Sequence, residues 1–306
     1  VGAAAGLAAA IIGCLFAVSL LAVGERRTRL VPTEIEMSPS EEESRPEKTP
    51  ARPLAVMTLN LAHGRKQGPH QLLQSAASIR ANLDDAAAVI LRERPDVVAL
   101  QEADGPSIWS GRFDHVDHLA RASRMRYHVR AENVKGLKLS YGTALLARWP
   151  LEEVVAFTFS ASPPTFCKGF VVTTVRLPEP AGRKVDVVSV HLDFFRGTVR
   201  VKQVDQMVAE LRARENPLIV MGDFNCQWTD RGSPIRTLAA ELGLKAYRPE
   251  AEGMGTFAKS NKRLDWILIS RELEFVSYRV LPDAVSDHCG VVATIRAVGS
   301  EEAASR

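Results

Sequence analysis

Pro217-Leu218-Ile219-Val220-Met221-Gly222-Asp223-Phe224-Asn225 is the stretch on which this chain turns. A short apolar run between a proline and a glycine predicts a buried strand. Gly222 lets the backbone turn where the strand ends. Asp223 and Asn225 then sit at its C-terminal tip, where α/β proteins gather their chemistry. A carboxylate and an amide two residues apart suit one cleft, one for a water or a proton, the other for a phosphoryl oxygen. Asp and Asn after a strand are also ordinary turn formers, so the rest of the chain decides.

Just upstream, Val185 to Val190 reads as a strand delivering His191 and Asp193. The apolar loop Phe194-Phe195-Arg196-Gly197 follows, and its phenyl rings suit either a core or a bilayer interface. A helix from Thr198 to Arg214 is expected to bury Val201, Val204, Val208 and Leu211. Arg200 and Gln203 lie on another face near its N-terminus, where an anion is welcome.

Further back, Leu54 to Leu61 reads as the first core strand, with Asn60 near its end before His63-Gly64. Leu72, Ala76, Ile79, Leu83, Ala87 and Ile90 recur at helical spacing, and Pro95 stops that helix. Asp96 to Leu100 is a second strand, delivering Gln101 and Glu102. This β-α-β unit brings Asn60 and Glu102 toward each other. A helix from about His115 to Arg124, a strand from Tyr127 and a strand over Tyr141–Arg148 follow. Val154–Phe159 and Phe170–Leu177 predict a hairpin around the loop 160–169. Beyond Asn225, a helix over Pro234–Leu242 precedes the strands Arg263–Ile269, with Asp265, and Leu273–Leu281. Ser286-Asp287-His288 leads into a last strand, Gly290 to Ala297. Strands outnumber helices, and several adjacent strands lack a helical crossover, so the sheets are mixed. Two sheets face to face with helices outside would bury this many apolar strands.

The whole chain has 306 residues, 46% hydrophobic and 25% charged, with a net charge of +3. That is ordinary for a globular protein and too weakly basic to announce a nucleic-acid binder. Cys14, Cys167, Cys226 and Cys289 show no metal-type or disulfide-framework spacing. The sequence divides into four parts: 1–24, 25–53, 54–298 and 299–306. Val1 to Gly24 carries no charge. A helix of that length spans ~35 Å, enough for a hydrocarbon core. It is expected to be a single-pass membrane anchor or an export signal cleaved near Ala22-Val23-Gly24. Arg26, Arg27 and Arg29 would favour a cytoplasmic C-terminal side if it stays in the membrane. Residues 25–53, rich in Pro, Glu and Ser, read as a disordered linker, and 299–306 as a polar tail. The span 54–298 is mildly basic, which suits an anionic substrate. It contains no P-loop, dinucleotide fingerprint, zincin motif or nucleophile elbow.

Taken singly, each polar strand tip has a bland structural explanation. In order, however, Thr58-Leu59-Asn60, Gln101-Glu102, Tyr141-Gly142-Thr143-Ala144-Leu145-Leu146, His191-Leu192, Gly222-Asp223-Phe224-Asn225, Arg263-Leu264-Asp265-Trp266-Ile267 and Ser286-Asp287-His288 resemble the endonuclease/exonuclease/phosphatase superfamily, the deoxyribonuclease-I-like fold. The resemblance covers about 54–298. It implies an α/β/β/α sandwich of four layers and Mg²⁺-dependent hydrolysis of a phosphoester, with Mn²⁺ as the alternative metal. Glu102 would hold the metal, with Asn60 and Asp287 beside it. The catalytic group would be His191, Asp223, Asn225, Asp265 and His288. Asn225 would bind phosphate, His191 would serve an oxygen or the leaving group, and Asp265 would fix the tautomer of His288. Either Asp223 or His288 would take the proton. Tyr141 and Arg200 are candidates for substrate contact. Some nuclease members carry an acidic residue two positions after the Asn60 equivalent. Here it is Ala62, which argues for one metal rather than two.

Three functions follow. The first is a membrane-tethered or exported phosphodiesterase or phosphatase acting on a lipid headgroup or small phosphoester. The second is a nuclease, with Arg196, Arg200 and Lys202 as a phosphate track. The third is a non-catalytic binding member. No protein partner is expected.

Overall fold

The computed structural model describes residues 25–36, 53–136, 138–177 and 182–298. The anchor or signal predicted at 1–24, most of the predicted linker and the tail at 299–306 lie outside these residues. Among them no helix is long and apolar enough to cross a membrane.

Two seven-stranded sheets form the centre. The first sheet runs β1 (Arg26–Arg29), β7 (Leu151–Thr158), β8 (Gly169–Arg176), β9 (Lys184–His191), β10 (Leu218–Asp223), β12 (Asp265–Ser270) and β11 (Leu244–Ala246) from edge to edge. The second runs β13 (Leu273–Val280), β14 (Val291–Ala297), β3 (Leu54–Asn60), β4 (Val97–Asp104), β6 (Leu139–Ala147), β5 (Tyr127–Gly136) and β2 (Thr33–Glu34). Both are mixed. β3 pairs parallel with β4, and β9 parallel with β10, while their other neighbours are antiparallel.

The alternation along each strand makes the layers. In β10, Ile219 and Met221 face the core between the sheets, whereas Val220 faces the opposite side. A strand buried on both faces must be apolar throughout, which explains the run from Leu218 to Met221. The helices α1 (Ala76–Glu93) and α2 (His115–Ala122) cover the second sheet through Ile79, Leu83, Ile90 and Leu119. The helices α3 (Gly197–Leu211) and α4 (Pro234–Leu242) cover the first through Val204, Met207 and Leu238. The result is the expected four-layer α/β/β/α sandwich.

Three local expectations need correction. The helix predicted from Leu72 starts at Ala76, because the Ser75 side chain caps it by accepting the Ser78 N–H. Leu72 sits instead in a short 3-10 turn with its side chain half exposed. In α3, Val201 is exposed, and Gln203 takes a buried position because its amide oxygen accepts the Asp193 N–H. Finally, part of the region read as linker is ordered. Arg26–Arg29 pairs with β7 and Thr33–Glu34 with β5, adding an edge strand to each sheet. Composition missed this because edge strands carry charged residues on both faces. A truncation starting at Ala51 strips both edges. It is expected to melt several degrees lower and to aggregate more readily than one starting at Glu25, as thermal unfolding and light scattering would read.

Candidate active site

The two parallel pairs aim their C-terminal ends at one place. In the second sheet Asn60 lies opposite Gln101, and in the first His191 lies opposite Asp223, with Asp265 entering antiparallel on the other side. Beneath them a polar bridge ties the sheets together. Gln101 Nε2 donates to Ser189 Oγ at 3.1 Å, and that hydroxyl donates to the Leu100 carbonyl oxygen at 3.0 Å. Gln101 is therefore a structural member of the motif that presents Glu102.

Asp223 is the hub. One of its oxygens accepts the Asn225 backbone N–H at 2.9 Å, and the other accepts Asn60 Nδ2 at 3.0 Å. That second oxygen also lies 3.5 Å from His191 Nε2 and 3.9 Å from His288 Nε2. Burial pushes the Asp223 carboxyl up to about 7, although the neighbouring His288 pulls it down. His288 Nδ1 is 2.8 Å from Asp265 Oδ2. Burial works against a charged His288 ring, but Asp265 and Asp223 outweigh it and raise its pKa well above the usual imidazole range. His191 goes the other way. Burial, reinforced by the Lys168 ammonium, keeps its imidazole neutral.

Across the cleft, Glu102 sits in a β-bulge between Leu100 and Ala103, with a left-handed backbone at φ 49°. Burial opposes its charge, but the His63 and Lys168 cations foremost overcome that and hold its carboxyl at about 2. Among the described residues no donor makes a hydrogen bond to it. Ala62, His63 and Asn225 also have positive φ. Strained non-glycine backbone clustered at one place is the mark of a functional site.

Several residues here escaped the sequence reading. His63 Nε2 lies 3.4 Å from Glu102 Oε2, while its Nδ1 lies 2.6 Å from Asp104 Oδ1. The other Asp104 oxygen accepts Trp109 Nε1–H at 2.8 Å. Asp104 follows Glu102 by two residues on the same strand, a spacing that was legible. Lys168 is buried with Nζ 3.4 Å from His191 Nδ1. Nothing in its surroundings of Phe166-Cys167-Lys168-Gly169 signals this. A lysine can only donate, so it sets His191 Nδ1 as acceptor and leaves the hydrogen on Nε2.

Other candidates are placed differently from expectation. Asn60 Oδ1 accepts the Ala62 N–H and its Nδ2 donates to Asp223, so this amide orients Asp223 and its oxygen is already engaged. Asp287 is joined to Arg65 by a 2.8 Å ion pair, a task other than an open metal ligand. Arg200 donates to the Asp193 carbonyl oxygen of its own loop, and Arg196 to that of Ser162 in the β7–β8 loop, so both guanidinium groups are engaged in bracing loops. Tyr141 is buried against the His63 and Trp109 rings at 4.9 and 5.3 Å. Cys167, Cys226 and Cys289 form no disulfide.

The model of the Endonuclease/Exonuclease/phosphatase family matches residues 57–288. This chain belongs to that family. Its members hydrolyse phosphoesters. No curated protein matches the chain. Solved structures share its fold. An endonuclease/exonuclease/phosphatase from Beutenbergia cavernae is 22% identical, with a TM-score of 0.65 over 81% of this chain and 72% of that one. A mannosyl-6-phosphatase from Bacteroides thetaiotaomicron is 17% identical, with a TM-score of 0.61 over 79% and 99%. The human Nocturnin catalytic domain with bound sulfate is 19% identical, with a TM-score of 0.60 over 88% and 98%.

Members of this family typically use a divalent metal. Glu102 fits one on chemical grounds: it is charged throughout the physiological range, partly buried and without a hydrogen-bond donor. Asp223, Asp265 and His288 also lie close enough to surround an ion. There, however, His288 and Asp265 are already bonded to each other.

Proposed function

We propose that this family member is a divalent-metal-dependent hydrolase of small phosphoesters or lipid headgroups, with a site centred on Asp223 and Glu102. The observation that carries it is the pairing across one cleft of a carboxylate that accepts no hydrogen bond, Glu102, with an Asp223 whose two oxygens are fixed and whose pKa is raised. A divalent ion on Glu102, Mg²⁺ or Mn²⁺, would neutralise phosphoryl charge and stabilise the leaving oxygen. Asp223 takes the proton of the attacking water. What favours it over His288 is that two carboxylates keep His288 protonated, so it has no lone pair to offer. His288 instead donates Nε2–H to a phosphoryl oxygen, with Asp265 fixing its ring. His191, neutral with its hydrogen on Nε2, donates to a second oxygen. Asn225 spends one amide hydrogen on the Leu192 carbonyl and keeps one for the phosphate.

Two observations favour a small or lipidic substrate over a nucleic acid. The first is that Arg196 and Arg200, two of the three cations that would form a phosphate track, are bonded to backbone carbonyls. The second is the loop after His191. Asp193 Oδ1 accepts the backbone N–H groups of Phe195 and Arg196, a fixed Asx-type turn. That turn holds Phe194 and Phe195 at 62% and 64% exposure, so they do not pack into the core. Two phenyl rings displayed at a site rim suit a bilayer interface, and so does the charge-free segment 1–24.

The test is a substrate panel on the full chain with Mg²⁺, Mn²⁺ or EDTA: aryl phosphomonoester and phosphodiester, phospholipid, sphingomyelin and phosphoinositide vesicles, supercoiled DNA and RNA. Metal-dependent headgroup or aryl-ester release with intact DNA is expected. The double variant Phe194→Ser/Phe195→Ser is expected to lose about tenfold on vesicles and nothing on soluble aryl esters. DNA cleavage that is faster than ester release would favour the nuclease reading instead.

A further inference from the structure

The contact between His63 and Glu102 has the wrong length for what it first resembles. A charge-assisted N–H···O bond closes to about 2.7–2.9 Å, whereas His63 Nε2 stands 3.4 Å from Glu102 Oε2. Two donor atoms bound to one metal at ~2.1 Å each, with a tetrahedral angle between them, are ~3.4 Å apart. The rest of the imidazole is arranged accordingly. Its Nδ1 hydrogen goes to Asp104 at 2.6 Å, and Asp104 is itself held by the Trp109 indole N–H at 2.8 Å. A histidine that ligates a metal donates its other ring N–H to a carboxylate in this way. Burial opposes a charged His63 ring, but Asp104 and Glu102 raise its pKa, so an ion takes Nε2 by displacing the proton that Nε2 otherwise carries. The ring cannot swing off this axis. Tyr141 meets it edge-on at 4.9 Å and Trp109 at 5.0 Å. The backbone is committed as well, because Ala62 and His63 both adopt left-handed φ, at 48° and 55°. An alanine and a histidine held in that region need a reason, and facing His63 toward Glu102 supplies one.

We propose that His63 Nε2 is a ligand of the metal held by Glu102, so that this site is a mixed nitrogen–oxygen site with Asp104 as positioning residue. The proposal rests on the reading of Glu102 as the metal-holding carboxylate. Its consequence is selectivity. Mg²⁺ prefers oxygen donors and its own waters, whereas first-row transition ions take imidazole, Zn²⁺ and Co²⁺ most readily and Mn²⁺ least. The site therefore takes a first-row transition ion in preference to Mg²⁺. His63 gives the ion a second anchor on the chain where Ala62 offers no side-chain donor.

The decisive readout is spectroscopic and needs no turnover. Mn²⁺ bound to the full wild-type chain is examined by electron spin-echo envelope modulation, which detects a directly coordinated imidazole nitrogen. Calorimetry then gives Mn²⁺ and Mg²⁺ affinities for wild type, His63→Gln, Asp104→Asn and Glu102→Gln, with circular dichroism confirming that each variant is folded. The proposal predicts a nitrogen coupling in wild type that vanishes in His63→Gln. It also predicts Mn²⁺ binding weakened at least tenfold in His63→Gln and about 10–100-fold in Asp104→Asn, with Mg²⁺ affinity changed less than threefold. Wild-type Mn²⁺ without nitrogen coupling, and lost only in Glu102→Gln, would overturn the His63 proposal and leave Glu102 as the metal carboxylate. Binding that survives in Glu102→Gln at wild-type strength would overturn the reading on which it rests, and the proposal with it. If His63→Gln does not fold, the wild-type spectrum alone decides.

Discussion

Asp223→Asn is expected to lower kcat for phosphoester hydrolysis by about 10³-fold, within the range for loss of a general base. Two arguments make the loss this large. An asparagine at 223 cannot accept a proton from water. It also cannot satisfy the same neighbours. The carboxylate accepts from the Asn225 N–H on one oxygen and from Asn60 Nδ2 on the other, with His191 and His288 nitrogens converging on the latter. One carboxamide oxygen replaces two acceptors, so an NH₂ group is left facing a donor. The pH profile separates these effects. Because burial raises the Asp223 pKa to about 7, wild-type kcat/KM should rise with pH as that group ionises and level off above it. In Asp223→Asn this ascending limb should disappear, while Mn²⁺ affinity, carried by Glu102 on the other sheet, stays within a few-fold. A variant that keeps a tenth of wild-type kcat, or retains the limb, would move the base elsewhere.

Much of this site could be read before any coordinates because its parts lie at strand ends. Asn60, Glu102, His191, Asp223 and Asp265 are each preceded or followed by an apolar run whose direction is legible. The order of these runs matched a family pattern. Beyond the β-α-β unit that joins Asn60 to Glu102, strand reading cannot supply which tips meet. Asp223 lies beside His191 because β9 and β10 are parallel neighbours, whereas Asn60 reaches Asp223 across the gap between sheets. No local signal encodes that second approach. The same blindness explains His63. On the chain it is one histidine in a turn, and its meaning comes from Asp104 and Trp109, more than forty residues downstream. Asp287 shows the converse, a contact that its sequence neighbours do not reveal. It stands beside His288 in sequence, yet Arg65 lies across from it and takes its charge. The edge strands at Arg26–Arg29 and Thr33–Glu34 were invisible for a related reason, since edge pairing needs backbone groups and no particular side chain.

Gly222→Ala is expected to produce a severe loss of stability. Gly222 has φ +150°, and a Cβ built there would stand 1.9 Å from the Val190 carbonyl oxygen. That oxygen belongs to the backbone of β9, the parallel partner of β10, and it has no rotamer by which to escape. Relief requires the two strands to part at Val190 and Gly222, one residue before His191 and Asp223. A clash with fixed backbone belongs with the severe mechanisms, at about 4 kcal/mol or more, against a total stability of about 5–15 kcal/mol. For a domain of this size that corresponds to a fall in Tm of about 10 °C. Gly243→Ala is the control. It has φ +62° but nothing within 4 Å of the added methyl, so it should cost only about 1 kcal/mol. Differential scanning calorimetry on both variants would sink the argument if Gly222→Ala melted within about 2 °C of Gly243→Ala. If Gly222→Ala folds at all, its activity should fall further than its stability explains. The glycine lets β10 lie close enough to β9 for Asp223 and His191 to share one phosphate, and any strain relieved there is relieved by moving them apart.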